Sequence, residues 1–175
     1  MLQINWQNIF YLYPVNTQRW IKTFLILSVI IINIGCDQVS KKIVRDNIKP
    51  YETIHLLNNN LTVTHVENTG AFLSAGDSLP KTAKNILLSI FPVVALLFGT
   101  IFIFTRPNMP TSMLTGFCFV IGGGIGNIFD RIAYGSVTDF IHINLGFFQT
   151  GIFNLADMSI MLGVFMVLLQ SFRKK

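Results

Sequence analysis

The sequence predicts a membrane protein, mainly α-helical, with four transmembrane helices. Three observations carry that expectation. The composition is 51% hydrophobic and only 12% charged, outside the range of ordinary soluble domains. Ile86 to Thr105 runs without one ionisable residue, and about 20 apolar residues are enough to cross a bilayer's hydrocarbon core. Thr111 to Phe129 is also free of charge, and Gly151 to Phe172 carries a single ionisable group, Asp157.

Residues 1–19 hold Trp6, Phe10, Tyr11 and Tyr13 with Pro14. They predict an interfacial extension, because such rings settle at the headgroup level. Asn8 and Pro14 break the apolar run that a secretory signal would need. The first span, about residues 20–39, is built on Thr23 to Cys36. It reaches spanning length by adding Trp20, Ile21 and a snorkelling Lys22 on one side and Gln38 to Val39 on the other. A second targeting reading applies to Asn33-Ile34-Gly35-Cys36, which has the form of a bacterial lipobox with Cys36 as the lipidation site. Asn33 stands where that motif usually has an apolar residue.

After the first span, Asp37 to Ile48 reads as helix with Lys41, Lys42 and Arg45 on a polar face. Asn58-Asn59-Asn60 supplies turn chemistry, and Leu61 to Val66 is β-branched and strand-like. The polar segment from Glu67 to Phe72 follows. The second span, about 86–105, contains Pro92, which predicts a bend without chemistry. The third and fourth spans cover about 111–129 and 151–172, with Val137 to Ile143 as a second strand between them. Residues 20–175 thus predict one domain, with loops 40–85 and 130–150 on the same side.

Four spans put both termini on one side. Arg19, Lys22, Arg106 and Arg173-Lys174-Lys175 favour the cytoplasm for that side under the positive-inside rule. The first loop carries six Lys or Arg against that pattern, with Asp46, Glu52, Glu67 and Asp77 available to neutralise them. The net charge of +5 suits anionic lipid surfaces; no basic stripe with interleaved aromatics points to nucleic acid. Cys36 and Cys118 are too few for a disulfide framework or a metal site.

Residues 78–175 contain three acidic side chains, Asp130, Asp139 and Asp157. Ionisable groups in such apolar surroundings are functional candidates. Asp130 has Arg131 beside it and predicts an interfacial ion pair. Asp157 is three residues beyond Asn154, a spacing that suits a helix cap stabilised by the N-terminal dipole. Asp139, within a strand-like run, has the weakest structural excuse. Asp37 and Lys41, at i and i+4, suit a helix-surface pair worth about 0.2–0.5 kcal/mol. Gly122-Gly123-Gly124-Ile125-Gly126 predicts close helix packing, and would also let an extended substrate pass near the backbone. With the topology above, Asp37, Asn127, Asp130, Arg131, Asn154 and Asp157 share one membrane depth, which Asn68 can reach from its loop. Two carboxylates brought together can share one proton, one acting as base on water while the other polarises a carbonyl. His55, His65 and His142 are scattered and read as structural or solvated.

The segments Asp37-Gln38-Val39-Ser40-Lys41, Asn68-Thr69-Gly70-Ala71-Phe72, Gly126-Asn127-Ile128-Phe129-Asp130-Arg131, Val137-Thr138-Asp139-Phe140 and Phe153-Asn154-Leu155-Ala156-Asp157 resemble the five motif blocks of the bacterial lipoprotein signal peptidases. They occur in family order, and the resemblance covers about residues 20 to 172. It implies an intramembrane aspartic endopeptidase that cuts diacylglyceryl-modified prolipoproteins just before the lipidated cysteine. Asp139 and Asp157 would be the catalytic dyad. Asn68, Gly70, Asn127, Arg131 and Asn154 would hold substrate or support the aspartates, and Asp37, Lys41 and Asp130 would be structural. The implied fold adds a small extracytoplasmic β-cradle and a short periplasmic helix to the four spans. The expected setting is the inner membrane of a bacterium, with a monomeric chain, lipid contacts, no nucleic acid, no metal and no cofactor. Leu73, where the family often has an aromatic residue, and the long aromatic N-terminus depart from the pattern.

Two other function classes compete. A proton-coupled transporter or channel could use Asp139 and Asp157 as a relay, although no repeat is visible and the acids cluster at one boundary. A protein lipidated at Cys36 would itself be a substrate of such a peptidase.

Overall fold

The structure is a computed structural model that describes residues 17–71, 78–106 and 108–173. Most of the expected interfacial extension, Phe72 of the second motif and Leu73 lie outside the described residues. Four helices are long and apolar enough to cross a membrane, Trp20–Asn47, Lys81–Thr105, Thr111–Ala133 and Leu155–Phe172. The expected spans are therefore all present, with shifted ends.

Helix α1, Thr17–Asn47, has 31 residues, about 46 Å of length. That exceeds a hydrocarbon core of roughly 30 Å, so its last turns must emerge. The helix expected after Asp37 is this emerging part, continuous with the span because no Gly or Pro interrupts 37–47. A separate short helix between the first two spans is not present among the described residues. Helix α2 begins at Lys81 and passes through a π-helical turn, Ile86–Ile90, into Phe91–Thr105. Pro92 then falls in the first turn of the following α segment, where its missing N–H costs least. The π turn stands immediately before that segment.

Helix α3, Thr111–Ala133, is the most enclosed span; helix α4 is Leu155–Phe172. The glycines set how closely α3 meets its neighbours. A Cβ on Gly123 would collide with the Ala156 carbonyl, and one on Gly116 would lie 2.8 Å from the Gly163 carbonyl. Gly116→Ala is expected to force α3 and α4 apart at a cost of about 1–3 kcal/mol, read as a lower unfolding midpoint in detergent. An unchanged midpoint would mean that the two backbones give way there.

The loops at one end of the bundle form a three-stranded antiparallel sheet of order β1-β2-β3, with β1 Thr53–Leu56, β2 Leu61–Asn68 and β3 Val137–Ile143. Leu57, Asn58 and Asn59 take positive φ in the turn joining β1 to β2, which asparagine tolerates well. The register shifts between Val63 and Val66, where β2 carries a bulge. Phe140 of β3 packs with Val44 and Ile48 on the emerging part of α1. A separate apolar cluster of Ile26, Ile30, Ile103, Cys118 and Ile121 joins α1, α2 and α3 deeper in the bundle. Phe153 pairs with Ile141, so α4 starts at Leu155 rather than at residue 151. Cys36 is exposed and Cys118 buried, both as free thiols.

Candidate active site

Asp139 lies on β3 opposite Val66, and Asn68 stands two residues further along β2, on the same face. Both Asp139 oxygens are held. Asn68 Nδ2 donates to Oδ2 at 2.9 Å and Asn154 Nδ2 to Oδ1 at 2.6 Å. Burial pushes the Asp139 carboxyl up to about 6, against the hydrogen bond from Asn68; the charge of Asp157 adds to the rise. Asp157 stands in the first turn of α4. Its backbone N–H donates to Asn154 Oδ1 at 2.9 Å, and its Oδ2 accepts from the Asn154 N–H at 3.3 Å. The helix cap expected from the Asn154–Asp157 spacing is therefore present as a reciprocal capping box. The same asparagine reaches Asp139, so the cap also couples the two carboxylates. Asn127 Nδ2 donates to the other Asp157 oxygen at 2.8 Å.

Below the two aspartates lies a buried charge cluster. Lys41 Nζ contacts Asp37 Oδ2 at 2.8 Å, Asn127 Oδ1 at 2.9 Å and Asp130 Oδ2 at 3.0 Å. An ammonium has three donors, so each has a partner. Asp37, Lys41 and Asp130 are all 0% exposed, which corrects the expected helix-surface pair of Asp37 and Lys41. Gln38 Nε2 lies within hydrogen-bond reach of both carboxylates, 3.1 Å from Asp37 and 3.0 Å from Asp130. Asp37 Oδ1 accepts from the Ala156 N–H at 2.9 Å, fixing the start of α4. A Cβ on Gly126 would come within 2.5 Å of Asp37, so the glycine run serves this approach.

The expected Asp130–Arg131 ion pair does not form. Neighbours on a helix point in different directions, and Asp130 turns inward to Lys41, with Arg45 at 3.7 Å. Arg131 turns toward the loop after β2. Its Nη2 donates to the Gly70 carbonyl at 3.1 Å, and the Gly70 N–H donates to Asn68 Oδ1 at 3.0 Å. A cleft of about 230 Å³ opens between these groups, lined by Asn68, Leu88, Asn127, Arg131, Asp139 and Asp157, among others. A larger groove of about 620 Å³ on the sheet is lined by Tyr51, His55, Thr62 and His142 among others, without a carboxylate. Asp139 and Asp157 both line the smaller cleft. Among the described residues, no group of three or more His, Cys, Asp or Glu is arranged to hold a metal ion.

The family model for signal peptidase (SPase) II matches residues 29–173. The chain belongs to the signal peptidase II family. Lipoprotein signal peptidases of Wigglesworthia glossinidia brevipalpis and Buchnera aphidicola subsp. Acyrthosiphon pisum (strain APS) are 34% and 31% identical to it. The first alignment covers 83% of this chain and 89% of the relative, and the second 89% and 94%. A bacterial membrane enzyme solved by the in meso method at 2.3 Å resolution shares the fold, with a TM-score of 0.76 at 24% identity. That match covers 85% of this chain and 88% of the other. The chain is thus a multi-pass membrane protease of the family that removes signal peptides from prolipoproteins.

Asn68, Gly70, Asn127, Arg131, Asn154, Asp139 and Asp157 all converge on the cleft or its lining. Asp37, Lys41 and Asp130 sit one layer behind it. The sequence assigned no role to Gln38 and Arg45, whose side chains reach Asp130, or to Thr138, whose backbone N–H reaches Asp130 and whose hydroxyl accepts from Arg45. Leu88 and Pro92 of the cleft wall were also unassigned. Of the three histidines, His65 is structural, with ring nitrogens 2.7 Å from the Ile48 carbonyl and 3.0 Å from Glu67.

Proposed function

We propose that Asp139 and Asp157 are the catalytic dyad of this peptidase. The substrates are prolipoproteins whose cysteine already carries diacylglycerol, and the bond broken is the one just before that cysteine. The observation carrying this reading is that two carboxylates from separate elements line one cleft and share the Asn154 side chain.

With one proton between them, the ionised aspartate removes a proton from water and the protonated one donates to the scissile carbonyl. Water oxygen bonds to the carbonyl carbon, giving a tetrahedral intermediate. Its collapse breaks the carbon–nitrogen bond as the cysteine nitrogen takes a proton from the dyad. The products are the signal peptide's new carboxylate and the lipoprotein's free amine. Asn68, Asn127 and Asn154 hold the two aspartates, while Arg131 and Gly70 offer groups to the substrate backbone. Asp37, Lys41 and Asp130 support this layer from behind.

The same reading assigns a monomer in the bacterial inner membrane. Residues 20–175 are the peptidase domain and 1–19 an interfacial extension. Arg173, Lys174 and Lys175 favour cytoplasmic termini, which sets the dyad near the outer face, where translocated substrates arrive. The basic termini suit contact with anionic lipid.

The raised Asp139 carboxyl gives the test its direction. Below about pH 6 the Asp139 carboxyl holds its proton; above that value the proton is lost and no acid remains to polarise the carbonyl. The dependence of kcat/KM on pH, measured from about pH 4 to about pH 9, is expected to fall on the alkaline side with an apparent value near 6 that belongs to the pair. Activity is expected to survive EDTA in full. A flat profile, or loss of turnover in the chelator, would remove the two-carboxylate mechanism.

A further inference from the structure

The back of the sheet that holds Asp139 carries a second set of side chains that the reaction does not use. Asp139 points into the cleft, while its neighbour Thr138 pairs with Glu67 of β2 and turns to the other face of the sheet. There Thr138 Oγ1 donates to Glu67 Oε1 at 2.8 Å and accepts from Arg45 Nη1 at 2.9 Å. Ser136 Oγ donates to the other Glu67 oxygen, and His65 Nε2 lies 3.0 Å from Oε1. Arg45 itself stacks over the Tyr134 ring, 4.2 Å from its centroid. The Thr138 N–H reaches Asp130 at 3.3 Å. Strand β3 is thereby tied to α1, β2 and the end of α3 at the residue beside Asp139.

The need for such ties lies in the register. The bulge between Val63 and Val66 interrupts the β2–β3 ladder, leaving three residue pairs beyond it, Val66 with Asp139, Glu67 with Thr138 and Asn68 with Val137. A bulge bends the strand and loosens pairing locally. Backbone bonds from three pairs are a weak hold on a carboxyl that must meet a second one to within a fraction of an ångström. Burial raises the Glu67 carboxyl, but the bonds from Ser136, Thr138 and His65 outweigh it and leave the group below its usual range. It therefore stays ionised, and keeps accepting, while the dyad exchanges its proton.

We propose that Glu67 is a positioning residue for the peptidase reaction, acting through Thr138 and Ser136 to fix the direction of Asp139 toward Asp157. The inference rests on the dyad reading above. A displacement of about 1 Å at a reacting group costs about 10²-fold in rate, and the effect falls on turnover rather than substrate binding.

The test compares Thr138→Val, Thr138→Ser, Ser136→Ala and Glu67→Ala in a purified-enzyme cleavage assay with a diacylated prolipoprotein, with Asp139→Asn alongside. Thr138→Val is expected to lower kcat by roughly 10- to 100-fold with KM within about twofold of wild type. Thr138→Ser, which keeps the hydroxyl, restores most of it. Glu67→Ala lowers kcat at least as far as Thr138→Val, and the two combined fall no further than Glu67→Ala alone, because the Thr138 hydroxyl acts through Glu67, which also holds Ser136. If Thr138→Val fails to accumulate, Ser136→Ala decides in its place, a lowered kcat supporting the inference and a wild-type kcat overturning it. Wild-type kcat in Thr138→Val beside an inert Asp139→Asn overturns the inference alone, as does a Thr138→Ser as impaired as Thr138→Val. Full cleavage by Asp139→Asn overturns the dyad and this inference together.

Discussion

Asp139→Asn and Asp157→Asn are each expected to lower cleavage of a diacylated prolipoprotein by roughly 10³-fold or more. Both proteins should still accumulate in the membrane. The size follows from the roles, since each carboxyl must hold or receive the shared proton and an amide does neither at working pH. The tolerance of the fold follows from the neighbours. Asp139 accepts from two asparagine side-chain amides, and Asp157 from one such amide and one backbone N–H, so neither replacement strands a buried cation. The double variant should be no worse than either single one, because half a dyad has no residual function to lose. Full cleavage by either purified single variant would end the mechanism.

The second large effect is on stability. Lys41→Met would leave Asp37 and Asp130, both fully enclosed, without the cation between them. Removing one partner of a buried ion pair costs about 3–5 kcal/mol, and here two carboxylates lose the same partner. The expected result is little or no accumulated protein, and any that remains should unfold at a much lower temperature. Adding Asp37→Asn and Asp130→Asn to Lys41→Met is expected to restore accumulation, since it removes the charges that were stranded. Turnover should stay low in that triple variant, because Asn127 would have lost the donor on its carbonyl side and Asp157 depends on the same amide. Wild-type stability in Lys41→Met alone would mean that the cluster is not held by its cation.

Much of the fold was legible because charge-free runs have few meanings other than membrane spans, and α2, α3 and α4 follow from them directly. Strands β2 and β3 were visible through their β-branched residues. Strand β1 was not, since all four of its residues are exposed and carry no burial pattern to read. Helix α1 was divided in two because its polar final part looks unlike a span, while the backbone has no reason to break there. That Asp139, Asp157 and the asparagines bound to them come together was legible through the motif blocks. Their backing was misread, because an i, i+4 spacing says that two side chains meet and says nothing about what covers them. Asp130 was given the nearest cation in sequence, whereas helix geometry gives it the cation on another element, Lys41 of α1.

The unbroken length of α1 has a mechanical consequence. One rod crosses the apolar layer, carries Asp37 and Lys41, and then offers Val44 and Ile48 to the sheet through Phe140. Bilayers differ in thickness, and a span that does not match its surroundings answers by tilting. When this rod tilts, the charge cluster and the sheet lean with it as one piece. Asp37 of the same rod accepts from the Ala156 N–H beside Asp157, so the strand carrying Asp139 and the helix start carrying Asp157 are both braced against one element.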